Sequence, residues 1–446
     1  MIPHFRVTLA VCLCCFSLIS LAQHEAADGV ISVADSITRS ALAGVSVFDR
    51  NGTLVGICDS RGRMPYVSET SYPLTFRCIG YKEKTVRRPP TSAILLSESL
   101  TELPEFKFIS RRQKVLYIPA YIREYSTLST YTDTVYMFRE KMVDFMIVPD
   151  KSVRYRGWSV PRTNKSRSYY RFSNADGLDS VSDKCNNHFT WSDWVGLTSV
   201  HPLPPELAGV TTGTQTVMGR YSPSETWNRE NDRITIDLDI LAENSGRRWV
   251  PTLSAFFKDN LDFECFRMKL LYDNIVNDSI SPENLTAYSY NLETRGRGHK
   301  MFMFHKVDEP FFVSTYAEVY ILDKEYISVK EAKKRERSNP EIAGMADFDI
   351  PSTAPALHSS VIELIGRVNS INNNEVRAAL APDRKLVGIE FKKMNFGGRL
   401  LQLLKAGTGL DGIRGARKVN KKWKELKQKR KAENQIIRFN PETSLP

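Results

Sequence analysis

The chain has 446 residues, of which 41% are hydrophobic and 25% charged. That balance excludes a disordered chain and a multi-span membrane protein, and the length suggests two to four domains of ~100–200 residues. The formal net charge is +11, but Arg384 to Lys431 holds 16 Lys or Arg against three acids. A near-neutral body therefore carries a basic tail, and the overall charge describes the tail's partners only.

Residues 1–22 have the pattern of a secretory signal peptide. Arg6 supplies the positive start, Val7 to Leu21 is apolar but short for a membrane span, and Ser20 and Ala22 are the small residues of a cleavage site. A lipoprotein signal ending at Cys12 is the rival, and it needs a small residue where Val11 stands. Three of the seven cysteines, Cys12, Cys14 and Cys15, fall in this segment. Cys58, Cys78, Cys185 and Cys265 remain, without CxxC spacing. In an exported chain they allow three fully paired connectivities or stay as buried thiols, and no metal site is implied.

Residues 23–108 show strand periodicity with turn punctuation. Val45 and Val47 lead into Asp49-Arg50-Asn51-Gly52, and Thr53–Cys58 leads into Asp59-Ser60-Arg61-Gly62. Leu74–Ile79 and Ile94–Leu96 follow as further strands, which predicts a small antiparallel sandwich. The stretch resembles the carboxypeptidase regulatory-like domain common in exported proteins of Bacteroidota. The resemblance is carried by Gly29-Val30-Ile31, Ala41–Val47, Gly56–Gly62, Phe76–Lys82 and the closing Leu96–Leu103. It implies a transthyretin-like sandwich that accompanies other domains and is not itself catalytic. Zinc carboxypeptidase chemistry needs an HxxE pair and a distant histidine, and none of the seven histidines begins an HxxE.

Residues 111–345 continue strand-rich, as a larger β domain. Ile234, Ile236, Leu238 and Ile240 alternate with Thr235, Asp237 and Asp239, and Phe263–Leu271, Lys300–His305 and Val319–Leu322 read as further strands. The aromatic residues Tyr155, Trp158, Tyr169, Tyr170, Trp191, Trp194, Trp227 and Trp249 are expected in the core and in cross-strand pairs. Ser328-Val329-Lys330-Glu331 is a capping box opening a short charged helix that ends before Asn339-Pro340. Lys300–Glu336, with Arg154–Trp158, resembles uncharacterised Bacteroidota envelope proteins that carry the same N-terminal module.

No GxSxG, GxxxxGK[ST] or HExxH motif is present. Asp237 and Asp239 share a strand face and could pair for acid–base work, although alternate exposed acids are usually solvated. His305 beside Asp308 and Glu309 fits a base with an orienting acid equally with a surface loop. An Asp, then Ser or Thr, then an aliphatic residue resembles the O-glycosylation acceptor of Bacteroidota. It occurs at Ser36, Thr134, Ser180 and Ser279, all of which must then face solvent.

Residues 346–446 return to helical spacing. Leu357, Val361, Leu364, Ile365 and Val368 form one stripe, and Phe396, Leu400, Leu403 and Leu404 a second. Val419, Trp423 and Leu426 form a third within a basic surround. Its candidate membrane or partner contacts are Lys421, Lys422, Trp423, Lys424, Lys427, Lys429, Arg430 and Lys431. A solvated tail is the plain alternative. Gly407-Thr408-Gly409-Leu410-Asp411-Gly412 satisfies GxGxxG but lacks the preceding strand and the ribose-binding acid, so a hinge is expected. No nucleic acid and no cofactor is expected.

The fold expected is mainly β, α+β overall, with a small sandwich, a larger antiparallel domain and a helical basic C-terminus. The function expected is non-enzymatic binding or scaffolding in the cell envelope, in the periplasm or at the outer membrane. The alternatives are an envelope hydrolase with a site assembled in the β-rich domain, and an accessory of TonB-dependent transport.

Overall fold

The computed structural model describes residues 30–99 except 66, and 114–370 except 131–132, 150–151, 175–176, 178, 184–189, 198–199, 220–222, 243–248, 251–260, 276–277, 298–309, 338–347 and 349. It also describes residues 417, 420, 421, 423–425 and 428. The protein is mainly β, as expected, with few helices. The signal segment, the Lys300–His305 strand, His305 with Asp308 and Glu309, the second helical stripe, the GxGxxG hinge and Cys185 lie outside the described residues.

The first strands are β1 (Val30–Asp35), β2 (Ser46–Phe48), β3 (Leu54–Ile57), β4 (Arg63–Pro65), β5 (Leu74–Arg77), β6 (Lys84–Val86) and β7 (Ile94–Leu96). They form two small sheets, ordered β4-β1-β7 and β3-β2-β5-β6, over a core that includes Val33, Val45, Val47, Leu74, Phe76 and Leu96; β1 and β7 run parallel, which departs from the wholly antiparallel sandwich expected. Both Asp-x-x-Gly turns close in the same way. Asp49 Oδ1 accepts the N–H groups of Asn51 and Thr53, each at 2.8 Å, and Asp59 Oδ1 those of Arg61 and Arg63 at 2.8 and 2.9 Å. The glycines take the positive φ that these turns require, +77° at Gly52 and +68° at Gly62. Cys58 and Cys78 flank β2 on opposite sides, both level with Val45. Two strand spacings, roughly 9.5 Å, exceed the reach of a disulfide, and Cys58, Cys78 and Cys265 are free thiols.

The remaining long strands build one antiparallel sheet. They are β8 (Val115–Ser129), β9 (Asp133–Ile147), β10 (Trp158–Asn174), β11 (Asp179–Ser182), β13 (Thr212–Met218), β14 (Pro223–Glu230), β15 (Arg233–Asp239), β16 (Leu261–Tyr272), β18 (Leu285–Arg297), β19 (Pro310–Ile321) and β20 (Glu325–Ile327). The order is β11-β10-β9-β8-β19-β18-β16-β15-β14-β13, with β20 paired to β8. Two-residue strands β12 (His201–Pro202) and β17 (Ser279–Ile280) pair separately.

Alternation assigns the two faces of this sheet. Leu116, Ile118, Ala120 and Ile122 enter the main core with Ile234, Ile236, Leu238 and Ile240. Trp191, Trp227 and Trp249 are buried there, and Glu225 accepts from both the Trp227 and Trp249 indoles at 2.9 and 3.0 Å. Trp194, by contrast, is exposed. The opposite face presents Tyr121, Tyr125, Phe138, Tyr316 and Tyr320, and the sandwich packs upon it through Phe48, Leu54 and Ile79.

An ion pair and a set of hydrogen bonds fix that seam. Arg77, at the end of β5, donates to Tyr125 Oη at 2.7 Å and pairs with Glu318 at 3.1 Å, while Tyr316 donates to the same carboxylate at 2.8 Å. Asn291 bridges to the sandwich twice, accepting from Ser46 Oγ at 2.7 Å and donating to the Gly44 carbonyl at 2.9 Å.

Helix α1 (Val329–Glu336) opens with one half of the predicted capping box, Ser328 Oγ accepting from the Glu331 N–H at 3.1 Å. The Glu331 carboxylate accepts from Arg335 one turn on, at 3.2 Å. Helix α2 (Ser359–Ser370) carries the first predicted stripe. Val361 and Leu364 are buried among Phe48, Tyr125 and Phe138, with Leu357, Ile365 and Val368 packed beside them. Leu357 to Val368 are therefore part of the body, lying across the sandwich–sheet seam.

Candidate functional site

Over β8, β9 and β19 the sandwich seals its face of the large sheet. Over β13 to β16 the same face is open, and a cleft of about 900 Å³ lies between it and the sandwich. The sandwich wall contributes Tyr81, Lys82, Glu83 and Glu98, and the chain at Ser352–Pro355 closes one end.

Strand register sets the sheet wall. Thr226, Asp237 and Lys269 are successive partners across β14, β15 and β16. Thr214, Asn228, Thr235 and Leu271 form the next row. Neighbouring strands are ~4.8 Å apart and successive same-face rows ~6.8 Å, so hydroxyl, amide and carboxylate groups stand at regular intervals. Thr214 Oγ1 donates to Asn228 Oδ1 at 2.9 Å, which orders part of this array.

Most charges along the wall are internally paired. Lys269 Nζ lies 3.3 Å from Asp237 and 5.4 Å from the Tyr81 ring centroid. Burial disfavours its charge, but Asp237 together with Cys78 and Tyr81 outweighs it and holds the ammonium protonated. Arg233 donates to Asp273 at 2.9 Å; burial nevertheless raises the Asp273 carboxyl above its ordinary range. Glu98 is also raised, first by burial and then by Glu230 and Asp35, with Arg233 and Lys269 opposing. Glu98 and Glu230 thus face one another electrostatically from opposite walls. Among the described residues no cluster of His, Cys, Asp or Glu could hold a metal ion.

Few of the residues expected from sequence meet here. Asp237 lines the cleft, but its strand neighbour Asp239 is buried and accepts from the Leu241 N–H at 3.2 Å, so the two do not form an acid–base pair. Of the glycosylation candidates, Ser36, Thr134 and Ser279 are half-buried. The Ser180 hydroxyl is enclosed on β11, so Ser180 does not meet the solvent requirement. In the basic segment Lys421 and Lys424 are exposed, Lys421 lying 3.8 Å from Glu425. Trp423 corrects the expectation of an outward contact: it is 6% exposed and belongs to the main core. Lys422, Lys427, Lys429, Arg430 and Lys431 lie outside the described residues. Among the described residues no helix is long and apolar enough to cross a membrane.

Sequence reasoning missed the cleft as a site. Thr235 and Asp237 were visible as the wet side of a strand, but their opposite wall is set by packing between residues nearly two hundred positions apart.

No protein-family model matches the chain, and no curated protein matches it. Among solved structures, lipovitellin, in a structure describing its lipid–protein interactions, aligns with 50% of this chain at 8% identity and a TM-score of 0.24. The chain spans 26% of that lipovitellin chain, and a likeness at this level carries no argument about function.

Proposed function

We propose that the protein is an exported, non-enzymatic binding protein of the cell envelope, and that its ligand occupies the cleft between the sandwich and the open half of the sheet. The observation that supports this is the cleft itself: about 900 Å³, walled by regularly spaced hydroxyl, amide and paired charged groups. A volume of that order suits a small ligand or a few units of a polymer. The sheet wall offers donors and acceptors at each rung, which favours a polyhydroxylated oligomer over an acyl chain. Lys269 and Arg233 are held by Asp237 and Asp273, a commitment that suits a rigid recognition surface.

Calorimetric titration with fragments of envelope polysaccharide tests the reading. The native chain is expected to bind a neutral oligosaccharide, and Thr235→Trp, which fills the wall, to lose that binding without unfolding. Equal binding by both proteins would place the ligand elsewhere.

The hydrolase reading keeps one specific support. Glu98 and Asp273 are carboxyls raised by burial within the cleft, the condition a general acid needs. Release of reducing ends from the same fragments, abolished in Glu98→Gln, would replace binding with catalysis.

The basic segment is the second contact surface of the proposal, through Lys421 and Lys424 toward an anionic membrane or partner. Because Trp423 is a core residue, removing the segment would damage the body. Lys421→Glu with Lys424→Glu is the cleaner test, with loss of membrane sedimentation expected.

A further inference from the structure

The two edges of the large sheet are built differently. On the β10 side, β11 covers only Tyr170 to Ser173, but the rest of that edge is guarded. It contains Pro161, Arg162, Lys165 and Arg167, its pairing with β9 is broken twice, and the Leu197 N–H bonds the Ser159 carbonyl at 2.7 Å. Proline, charge, irregularity and a covering loop are the devices that stop an edge from pairing. Among the described residues, strand β13 at the other edge has no proline, charge or register break along Thr212–Val217, and the Pro205–Leu207 turn that touches it lies on its Gly213 face and leaves the edge uncovered. Its sequence is Thr-Gly-Thr-Gln-Thr-Val-Met, its only register break is at Met218, and no described strand pairs beyond it.

We infer that β13 is a pairing edge for a second copy of the chain, joined antiparallel about a two-fold axis at Gln215. The bond from the Asn231 N–H to the Thr211 carbonyl, 2.6 Å, sets the phase of the β13–β14 ladder. By alternation, the amides of Thr212, Thr214 and Thr216 then point away from β14. An axis at Gln215 pairs Thr214 with Thr216 of the other copy and Thr212 with Met218, matching outward amides with outward amides. Every opposed pair is uncharged, so self-pairing meets no like-charge repulsion.

Two further observations favour a copy over an unrelated strand. Val210, just before β13, and Met218, its last residue, are exposed large apolar residues, 40% and 59% accessible. The register places each Met218 two positions from the other copy's Val210, so both ends gain cover. The cleft wall also ends at Thr214, on this edge. Pairing there joins the two open walls into one continuous surface, and the contact is isologous and closes.

Light scattering on the full chain over a wide concentration range tests this. A dimer is expected for the native chain. Gln215→Lys places two lysines directly opposite and is expected to give a folded monomer, as is Thr214→Pro, which removes an outward N–H and spares the β14 ladder. An equimolar mixture of Gln215→Lys and Gln215→Glu is expected to restore the dimer, a rescue that misfolding would not produce. A native chain that stays monomeric, a Gln215→Lys chain that stays dimeric, or a β13 occupied by a strand of another protein would overturn the inference. Gln215 faces away from the cleft, so ligand binding by the monomeric Gln215→Lys variant is read independently.

Discussion

Two halves of one sheet face show how the same strand pattern serves opposite ends. Over β8, β9 and β19, tyrosines alternate with buried charges that need partners from the sandwich. Arg77 reaches Tyr125 and Glu318 only when the two layers meet. Over β14 to β16 the charges find partners on the neighbouring strand, as Lys269 does with Asp237, and the face needs no cover. Whether a polar residue is satisfied across layers or within one layer decides which half is a seam and which a site.

The sharpest way to break this contrast is at the seam. Arg77→Met leaves Glu318 buried beside Tyr316 without its cation and is expected to cost about 3–5 kcal/mol in chemical denaturation. The double variant Arg77→Met, Glu318→Gln should recover most of that loss; failure to recover would mean that the guanidinium stabilises by packing. Gly52→Ala comes next. Its backbone lies at a positive φ and an added Cβ meets Ser360 Oγ, so a loss of about 1–3 kcal/mol and a loosened α2 are expected in hydrogen exchange.

Lys324 lies between the halves, donating to the Glu283 carbonyl at 2.7 Å. Burial pulls its ammonium from 10.5 down to about 7 despite Asp273, Glu283 and Asp323. Between those values the unfolded chain holds a proton that the native chain has released, so stability rises with pH there. The slope reaches at most ~1.4 kcal/mol per pH unit, and Lys324→Met should flatten it in a pH series of denaturation midpoints. On the open half, Thr226→Ala and Thr235→Ala should each change stability by no more than ~0.5 kcal/mol while weakening ligand binding. A large stability loss would make those rows structural.

The sequence made some of this legible and hid the rest for physical reasons. Local periodicity marked β15, the Ser328 cap and the α2 stripe, because each is decided by neighbours within a few residues. The turns at Gly52 and Gly62 were visible for the same reason. Trp423 was misassigned because an aromatic flanked by lysines has the same local pattern whether it points to a core or to a membrane. The cleft was invisible because Glu98 and Glu230 meet only after a sandwich of local strands docks on a sheet of distant ones.

The burial of Trp423 also bears on the order in which the chain folds. The main core starts at Leu116 and takes in a side chain about three hundred positions later. Contacts of that span close late, since loop-closure entropy must be overcome before they form. Until the Trp423 stretch docks, the large sheet lacks one of its core residues and its fold is incomplete. A side chain late in the chain is thereby tied to the stability of strands made some three hundred positions earlier, so a lesion near Trp423 is felt across the large sheet and not only at its own helix.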